Sequence, residues 1–351
     1  MPPVQKKARL DRGDGADAEA PATEVIHPDG DIVFVVGAKQ KQVLVHSAVL
    51  TTASEVFSAL LSDRFHEGQQ HRSAGSPAMI PLPDDDEDAT IQMLCLLHPG
   101  PSYDLVDFWP AQLFRLASVI DKYCCKYALD LQVEALLLRL YKTWKKDRTG
   151  WHNDLGALAT AAYMLEQSSC FQMFTAELVL VYPSSYSALS RPDITPGAKL
   201  PVNALLALEE IRGSLRLLLQ SDLEAKAVEH LDARRDTSPN GSVASRTDVL
   251  FHQGISQWPP AWYTESSLSL WEILDCVQNP EGPSRQCPCG RHCEGVTQLQ
   301  VAAKAFEESF KGLCLKCVRE DTIDNADLLD QCAWRFTPPR EDACRNKEHA
   351  G

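Results

Sequence analysis

The chain has 351 residues, with 34 Lys and Arg against 48 Asp and Glu, which gives a formal net charge of −14. This acidic balance argues against a duplex-binding surface, because neutralising phosphates requires clustered basic side chains. No apolar run approaches the ~18 residues that a membrane span requires, and the polar N-terminus has no signal-peptide core. We therefore expect an intracellular protein of the cytoplasm or nucleus, with no membrane partner. In such a compartment the 12 cysteines indicate thiols or metal ligands rather than disulfides.

The N-terminal segment changes character near residue 29. Residues 1–28 are rich in Ala, Asp, Gly and Pro and show no periodicity, which predicts a disordered tail. The β-branched and aromatic run at 32–36 then predicts a strand that ends at Gly37. Residues 43–45 supply the second strand of a hairpin.

Helical spacing of apolar residues begins after the hairpin, over residues 46–61. Within it, Ser47 and Ser54 are each placed to cap a helix start. Residues 79–82 predict a short strand at a sheet edge, where Pro81 is tolerated. Further helices are predicted over residues 84–97, 111–123 and 129–144.

This order of elements, a hairpin, two short helices, a strand and a helical cluster, resembles the BTB/POZ domain. The resemblance implies an α+β domain over 29–146, with a small sheet and a helical cluster, that binds other proteins. It rests on Gly30-Asp31-Ile32, Val45-His46-Ser47-Ala48-Val49-Leu50, Ser54-Glu55-Val56-Phe57, Phe65-His66-Glu67-Gly68, Ile80-Pro81-Leu82-Pro83-Asp84-Asp85 and Leu116 to Tyr123.

The remainder of the chain is predicted to be mostly α-helical, and it resembles fungal BTB-containing proteins. That second resemblance rests on Leu158 to Tyr163, Leu200-Pro201-Val202 and Gly312 to Val318, and it implies no established biochemistry. The predicted order is a helical extension over 153–231, a polar linker over 232–248, a C-terminal helical unit over 249–335 and a tail over 336–351. Within the extension the pattern predicts a pair of helices over 155–182, a loop over 183–200 and a long helix from 202 to about 231.

A cysteine and histidine cluster in the C-terminal unit has the spacing of zinc ligands. Cys289 and His292 form one chelating pair with two intervening residues, and Cys314 and Cys317 form another. Cys287 and Cys293 are alternates for the first pair. One structural Zn²⁺ shared by both pairs is the hypothesis, and a set of buried thiols is the alternative.

Four residues of the BTB-like segment are candidates for binding another protein. The resemblance places Asp31 and His46 at polar positions near the groove of the domain. Members with zinc fingers commonly have a basic residue after that His, whereas Ser47 follows it here. BTB domains that bind cullin scaffolds of ubiquitin ligases use a hydrophobic-x-Glu pattern, which Phe65 and Glu67 match. The alternative is that Phe65 caps the core and Glu67 begins a turn.

These observations favour a non-catalytic interaction scaffold or adaptor over an enzyme. No phosphate-binding loop, G-x-S-x-G or H-E-x-x-H is present, and nothing singles out Cys170 as a nucleophile. The first alternative is a substrate adaptor of a cullin-type ubiquitin ligase. The lesser one is a zinc-containing nucleic-acid-binding regulator, although acidic residues nearly cancel the basic ones around the cysteine cluster. Because residues 1–29 lack apolar periodicity, we expect a monomer or weak homodimer.

Overall fold

The computed structural model describes residues 23–98, 109–146, 152–190, 200–217, 269–271 and 311–323. Its N-terminal part contains a four-stranded sheet in the order β1-β3-β2-β4. The strands are β1 (Glu24–Val25), β2 (Ile32–Val36), β3 (Lys41–Val45) and β4 (Ala78–Leu82). β2 and β3 are antiparallel, whereas β1 runs parallel to β3 and β4 runs parallel to β2.

The predicted hairpin is present because its residues alternate between the two faces of the sheet. Ile32, Phe34 and Val36 of β2 point into the core and are fully buried. The turn between the strands begins at Gly37, whose φ of 68° suits glycine. A Cβ at Gly37 would also overlap the Glu87 side chain. Glu87 accepts a hydrogen bond from the backbone N–H of Lys39 at 2.6 Å. This bond fixes the turn against the start of the helix Glu87–Leu97.

The predicted edge strand is confirmed as β4, and its free edge is poor in hydrogen-bond donors. Ala78 donates to the Asp31 carbonyl and Leu82 accepts from Gly37, so these two residues face β2. In a parallel pair alternate residues bond to the neighbouring strand, so the backbone groups of Met79 and Pro81 face away from β2. Proline has no N–H, and Pro77 and Pro83 flank the strand in the same alternation.

Short helices connect the strands, and longer ones pack beneath the sheet. Ser54 caps the second helix by accepting from the Phe57 N–H, as predicted. The cap predicted for Ser47 is wrong, because the side chain of His46 caps the first helix. Ser47 instead lies in the first turn, where its hydroxyl bonds to Asp31. These helices are α1 (Ser47–Ala53), α2 (Glu55–Leu60), α3 (His66–Gln69), α4 (Glu87–Leu97), α5 (Pro110–Lys122) and α6 (Asp130–Lys146).

A polar and aromatic junction ties α2, α4 and α5 together. The rings of Phe57 and Tyr123 stack with their centroids 4.4 Å apart. The Tyr123 hydroxyl and the Lys122 ammonium both donate to the buried carboxylate of Asp85, in the loop before α4. Burial raises the pKa of Tyr123, and the bond to Asp85 adds to that shift. The junction therefore leaves the carboxylate of Asp85 paired, as a buried charge requires.

The helical extension begins with the predicted helix pair, α7 (His152–Met164) and α8 (Ser168–Val181). The two helices pack on each other, and α7 also packs on α5. A 3₁₀ helix follows over Tyr186–Ser190, inside the predicted loop. It lies against α9, of which residues 202–217 are described. Arg212 of α9 donates to the carbonyls of Tyr182 and Ser184 and lies over the Tyr186 ring, so this loop is held closely.

A short C-terminal helix, α10 (Leu315–Arg319), packs onto the helical extension. The Leu313 N–H donates to the Thr175 hydroxyl of α8 at 2.9 Å, and Asn203 of α9 donates to the Val318 carbonyl at 2.8 Å. Leu313 and Val318 are buried in the core that runs from the sheet through α8. The sequence assigned 311–323 to a C-terminal unit after a linker, but these residues share the core of the extension.

Two other predictions meet the structure at the ends of the chain. β1 lies inside residues 1–28, so ordered structure begins before the predicted end of the tail. β1 forms because Val25 pairs with Leu44 of β3. Val25 itself remains exposed, so the sequence around it shows no apolar pattern that would predict a strand. The linker predicted over 232–248 lies outside the described residues. In the described segments, no helix combines the length and apolarity needed to cross a membrane.

Candidate protein-binding site

Phe65 lies on a tight turn between α2 and α3 and projects from the surface. Phe65 is 48% exposed, so about half of its surface is accessible to a partner and the rest packs on the protein. Its backbone is nevertheless fixed, because its N–H donates to the Ser62 carbonyl at 3.2 Å. Glu67 lies in the first turn of α3 and is half-buried. The structure therefore presents an aromatic ring and a carboxylate from one short turn.

The backbone of this turn is held by its own hydrogen bonds. The N–H groups of Gly68 and Gln69 donate to the Phe65 carbonyl at 3.1 and 3.2 Å. The Gln69 side chain donates to the carbonyl of Asp63 at 2.9 Å. Gly68 approaches the end of α2 so closely that a Cβ there would overlap the Ser62 carbonyl. This position therefore requires glycine, and the sequence pattern Phe65-x-Glu67-Gly68 acquires a steric reason.

Asp31 organises the neighbouring strand-to-helix junction. Its carboxylate accepts from the Ser47 N–H at 2.7 Å and from the Ser47 hydroxyl at 2.6 Å. Partial burial alone would raise the pKa of Asp31, but the Ser47 bonds and the nearby His46 outweigh burial and lower the pKa. Asp31 is thus held as a carboxylate at the start of α1, where the helix dipole also favours negative charge.

His46 belongs to a group of imidazoles at the same junction. Its Nδ1 accepts from the Ala48 N–H at 3.2 Å as the helix cap, and its backbone N–H donates to His98 Nε2 at 3.1 Å. The neutral His98 ring therefore carries its proton on Nδ1, 2.7 Å from the Leu94 carbonyl. His27 lies edge-on to His46, with the ring centroids 5.0 Å apart. Burial lowers the pKa of His98. This arrangement assigns His46 a structural contact as a helix cap.

Arg72 connects the two candidate regions, and sequence reasoning missed it. Its Nε lies 3.7 Å from an Asp31 carboxylate oxygen, and its Nη2 donates to the Leu61 carbonyl at 3.3 Å. A cation from the segment before β4 thus lies beside the carboxylate to which Ser47 donates. No local sequence pattern predicts this ion pair, because Arg72 and Asp31 are far apart in sequence and meet only in the folded chain. The one signal was a basic residue in a loop that otherwise holds small and polar side chains.

The predicted zinc ligands are only partly described. Cys314 is the N-cap residue just before α10 and Cys317 lies inside that helix, and both are half-buried. Cys289 and His292, with the alternates Cys287 and Cys293, lie outside the described residues. In the part of the chain that the structure covers, no three His, Cys, Asp or Glu side chains are grouped as a metal site. One shared zinc therefore stays a prediction.

The structure also describes a candidate nucleophile, which is buried, and a candidate phosphate-binding arginine, which is paired with a carboxylate. Cys170 is 1% exposed, and burial raises its pKa to about 12, so its thiol stays protonated at neutral pH. Arg319, one of the basic residues near the cysteine cluster, pairs with Glu166 at 3.0 Å and donates to the Tyr163 carbonyl. Neither observation favours a nucleophile at Cys170 or a phosphate contact at Arg319.

Comparison with known proteins identifies the N-terminal part of the chain. No curated protein and no solved structure matches the chain. The sequence profile of the BTB/POZ domain, however, matches residues 29–138. That range starts just before β2 and ends within α6, so it covers β2 to β4 and the helices packed beneath them. The chain therefore carries a BTB/POZ domain, a protein–protein interaction module, at residues 29–138.

Proposed function

We propose that the BTB/POZ domain of this protein docks on the cullin scaffold of a ubiquitin ligase through Phe65 and Glu67. The helical remainder of the chain then selects the substrate. The observation that supports this proposal is the exposure of Phe65 on a turn whose backbone is held by hydrogen bonds at Phe65, Gly68 and Gln69. A protein anchor of this kind is typically an aromatic side chain that enters a pocket of the partner.

The rigidity of the turn matters as much as the exposure of the ring. Single exposed apolar residues are normal on protein surfaces and need no explanation. Here the backbone of Phe65 is fixed by Ser62, Gly68 and Gln69, so little conformational freedom remains to be lost on binding. Glu67 adds a carboxylate that can accept hydrogen bonds from the partner at the rim of the contact. These two features support a preformed docking surface.

Binding to a purified cullin N-terminal domain tests the proposal directly. Isothermal titration should detect a complex with the full-length protein, and Phe65→Ala should cost about 2 kcal/mol or more, as the loss of a buried anchor does. Tyr127→Ala is the matched control, because Tyr127 is an aromatic residue that is 90% exposed just before α6. It should bind as the unaltered protein does. A wild-type complex weaker than about 50 µM, or equal losses for both variants, would contradict the proposal.

A further inference from the structure

We infer that Arg72 is a positioning residue that closes the base of the Phe65 loop and anchors it to the sheet. This inference rests on the proposed function of Phe65 and Glu67. The loop leaves α2 after Leu61, carries Phe65 and Glu67, and returns at Arg72. The bond from Arg72 Nη2 to the Leu61 carbonyl, at 3.3 Å, joins the two ends of this segment.

The second contact of Arg72 fixes where the closed loop lies. Asp31, just before β2, lies 3.7 Å from Arg72 Nε. Because the Asp31 carboxylate also accepts two bonds from Ser47, it is a fixed anchor rather than a mobile surface charge. The guanidinium therefore spans from the rigid start of β2 to the end of α2. Two different nitrogens of the planar guanidinium make the two contacts, whereas a lysine would have to make both from a single nitrogen.

The environment of Arg72 distinguishes this pair from an ordinary surface ion pair. Its side chain is 25% exposed and that of Asp31 is 17% exposed, so water screens the attraction less than at a free surface. Arg72 Nη1 is buried and, among the described residues, makes no hydrogen bond. A buried donor without an acceptor has a cost. Arg72 holds this position through its other two nitrogens, in line with a role in shaping the loop.

The two contacts of Arg72, to Leu61 and to Asp31, form a clamp that affects the surface offered to the partner. Loss of the clamp leaves Phe65 exposed but lets the loop sample more conformations, so a partner must order it again on binding. Arg72 then contributes to affinity without touching the partner. Substitution of Arg72 should lower the affinity for the partner only while Phe65 is present, because Phe65 is the side chain that Arg72 positions. The two substitutions are therefore expected to be non-additive.

Amide hydrogen exchange on the full-length protein tests the positioning role without any partner. The probes are the amides of Gly68 and Gln69, which donate to the Phe65 carbonyl. Arg72→Gln should accelerate both by about tenfold, the equivalent of one hydrogen bond to a charged group, while the amides of β2 and β3 keep their rates. Arg115→Gln is the control, because Arg115 also pairs with an aspartate, Asp86 at 3.2 Å, outside the loop. Unchanged rates in Arg72→Gln, or equal acceleration in Arg115→Gln, would overturn the inference.

The binding arm separates this inference from the proposed function. Arg72→Gln should weaken the cullin complex by about tenfold and add little in a Phe65→Ala background. Full wild-type affinity in Arg72→Gln, despite faster exchange, would show that Arg72 does not position the partner surface. If the unaltered protein binds no cullin, the proposed function fails, and the exchange experiment still decides whether Arg72 holds the loop.

Discussion

At the scale of single residues, the steric role of Gly68 is the sharpest feature of the candidate site. The residue brings the start of α3 against the carbonyl of Ser62, leaving no room for a Cβ. That contact sets the direction in which Phe65 leaves the surface. A sequence pattern can place an aromatic residue two positions before a glutamate. It does not reveal that the next residue must be small.

We expect Gly68→Ala to shift the turn and to lower the free energy of unfolding by about 2 kcal/mol, the usual cost of forcing extra volume into a packed site. Gly75→Ala is the matched control, because a Cβ at Gly75 would meet nothing within 4 Å. Urea unfolding of both variants measures the difference. Equal stabilities would show that the backbone near Ser62 yields at no cost.

Arg72 and His46 show why residue roles were harder to predict than residue types. Asp31 and His46 were singled out as binding residues, yet their described contacts are internal: one fixes Ser47 and the other caps α1. Arg72, which joins Asp31 to the loop of Phe65, was not considered. Its partner lies far away in sequence, so no spacing rule connects them. Ion-pair partners of this kind are set by tertiary structure.

At the scale of elements, local pattern predicted most of the BTB/POZ domain. The β2–β3 hairpin and β4 follow from residue pattern and the cap of α2 from a single serine. Outside the domain, the helix pair α7 and α8 was also predicted. β1 was missed because two exposed residues carry no pattern, and it exists only through its parallel pairing with β3. Elements defined by their own side chains were predictable. Elements defined by a neighbour were not.

The zinc hypothesis also belongs at this scale, since Cys314 is the N-cap of α10 and Cys317 lies within that helix. If Cys289, His292, Cys314 and Cys317 share one Zn²⁺, elemental analysis should find about one zinc per chain. Cys314→Ser and Cys317→Ser should each lose it, because three ligands rarely hold a structural zinc. Cys332→Ser should keep it.

Removal of the metal should loosen α10 and with it the contact to Asn203, since the free energy of metal binding is part of the folding free energy. The BTB/POZ domain should keep its fold under the same treatment. Protein that contains no zinc, or whose melting profile is unchanged by a chelator, would show that the thiols are simply packed.

At the scale of the whole molecule, the core runs without interruption from the sheet to α10. It begins at Ile32 and ends at Val318, through the helices of the extension. Arg319 of α10 contributes a polar link to the N-terminal part. The Glu166 carboxylate forms ion pairs both with Arg319 and with Lys126, which lies between α5 and α6. The predicted division of the chain into units was based on changes of composition along the sequence, such as the polar stretch over 232–248. Residues 311–323 were assigned to a separate unit for that reason, and their long-range contacts had no local signal.

Removing the C-terminal segment should therefore destabilise the helical extension. A chain that ends at residue 310 lacks Leu313, Leu315 and Val318, each at most 3% exposed. Losing a buried aliphatic side chain costs about 2–4 kcal/mol, and the total approaches the ~5–15 kcal/mol of a whole domain. Thermal unfolding should show an early transition for α7 to α9. A chain that ends at residue 335 is the control, and equal melting of both truncations would contradict the shared core.

The free edge of β4 has a consequence for how this protein behaves when crowded. With Pro81 at the edge and Pro77 and Pro83 on either side, a strand arriving from a neighbouring molecule finds almost no amide to bond. Growth of the sheet into a ribbon or fibril is therefore blocked on that side. On the opposite side, among the described residues, β3 is covered by β1 and by the backbone N–H groups of Ile26 and His27, which donate to the Leu44 carbonyl. Misassembly during synthesis or refolding should accordingly start where β3 lies bare whenever β1 has not yet paired.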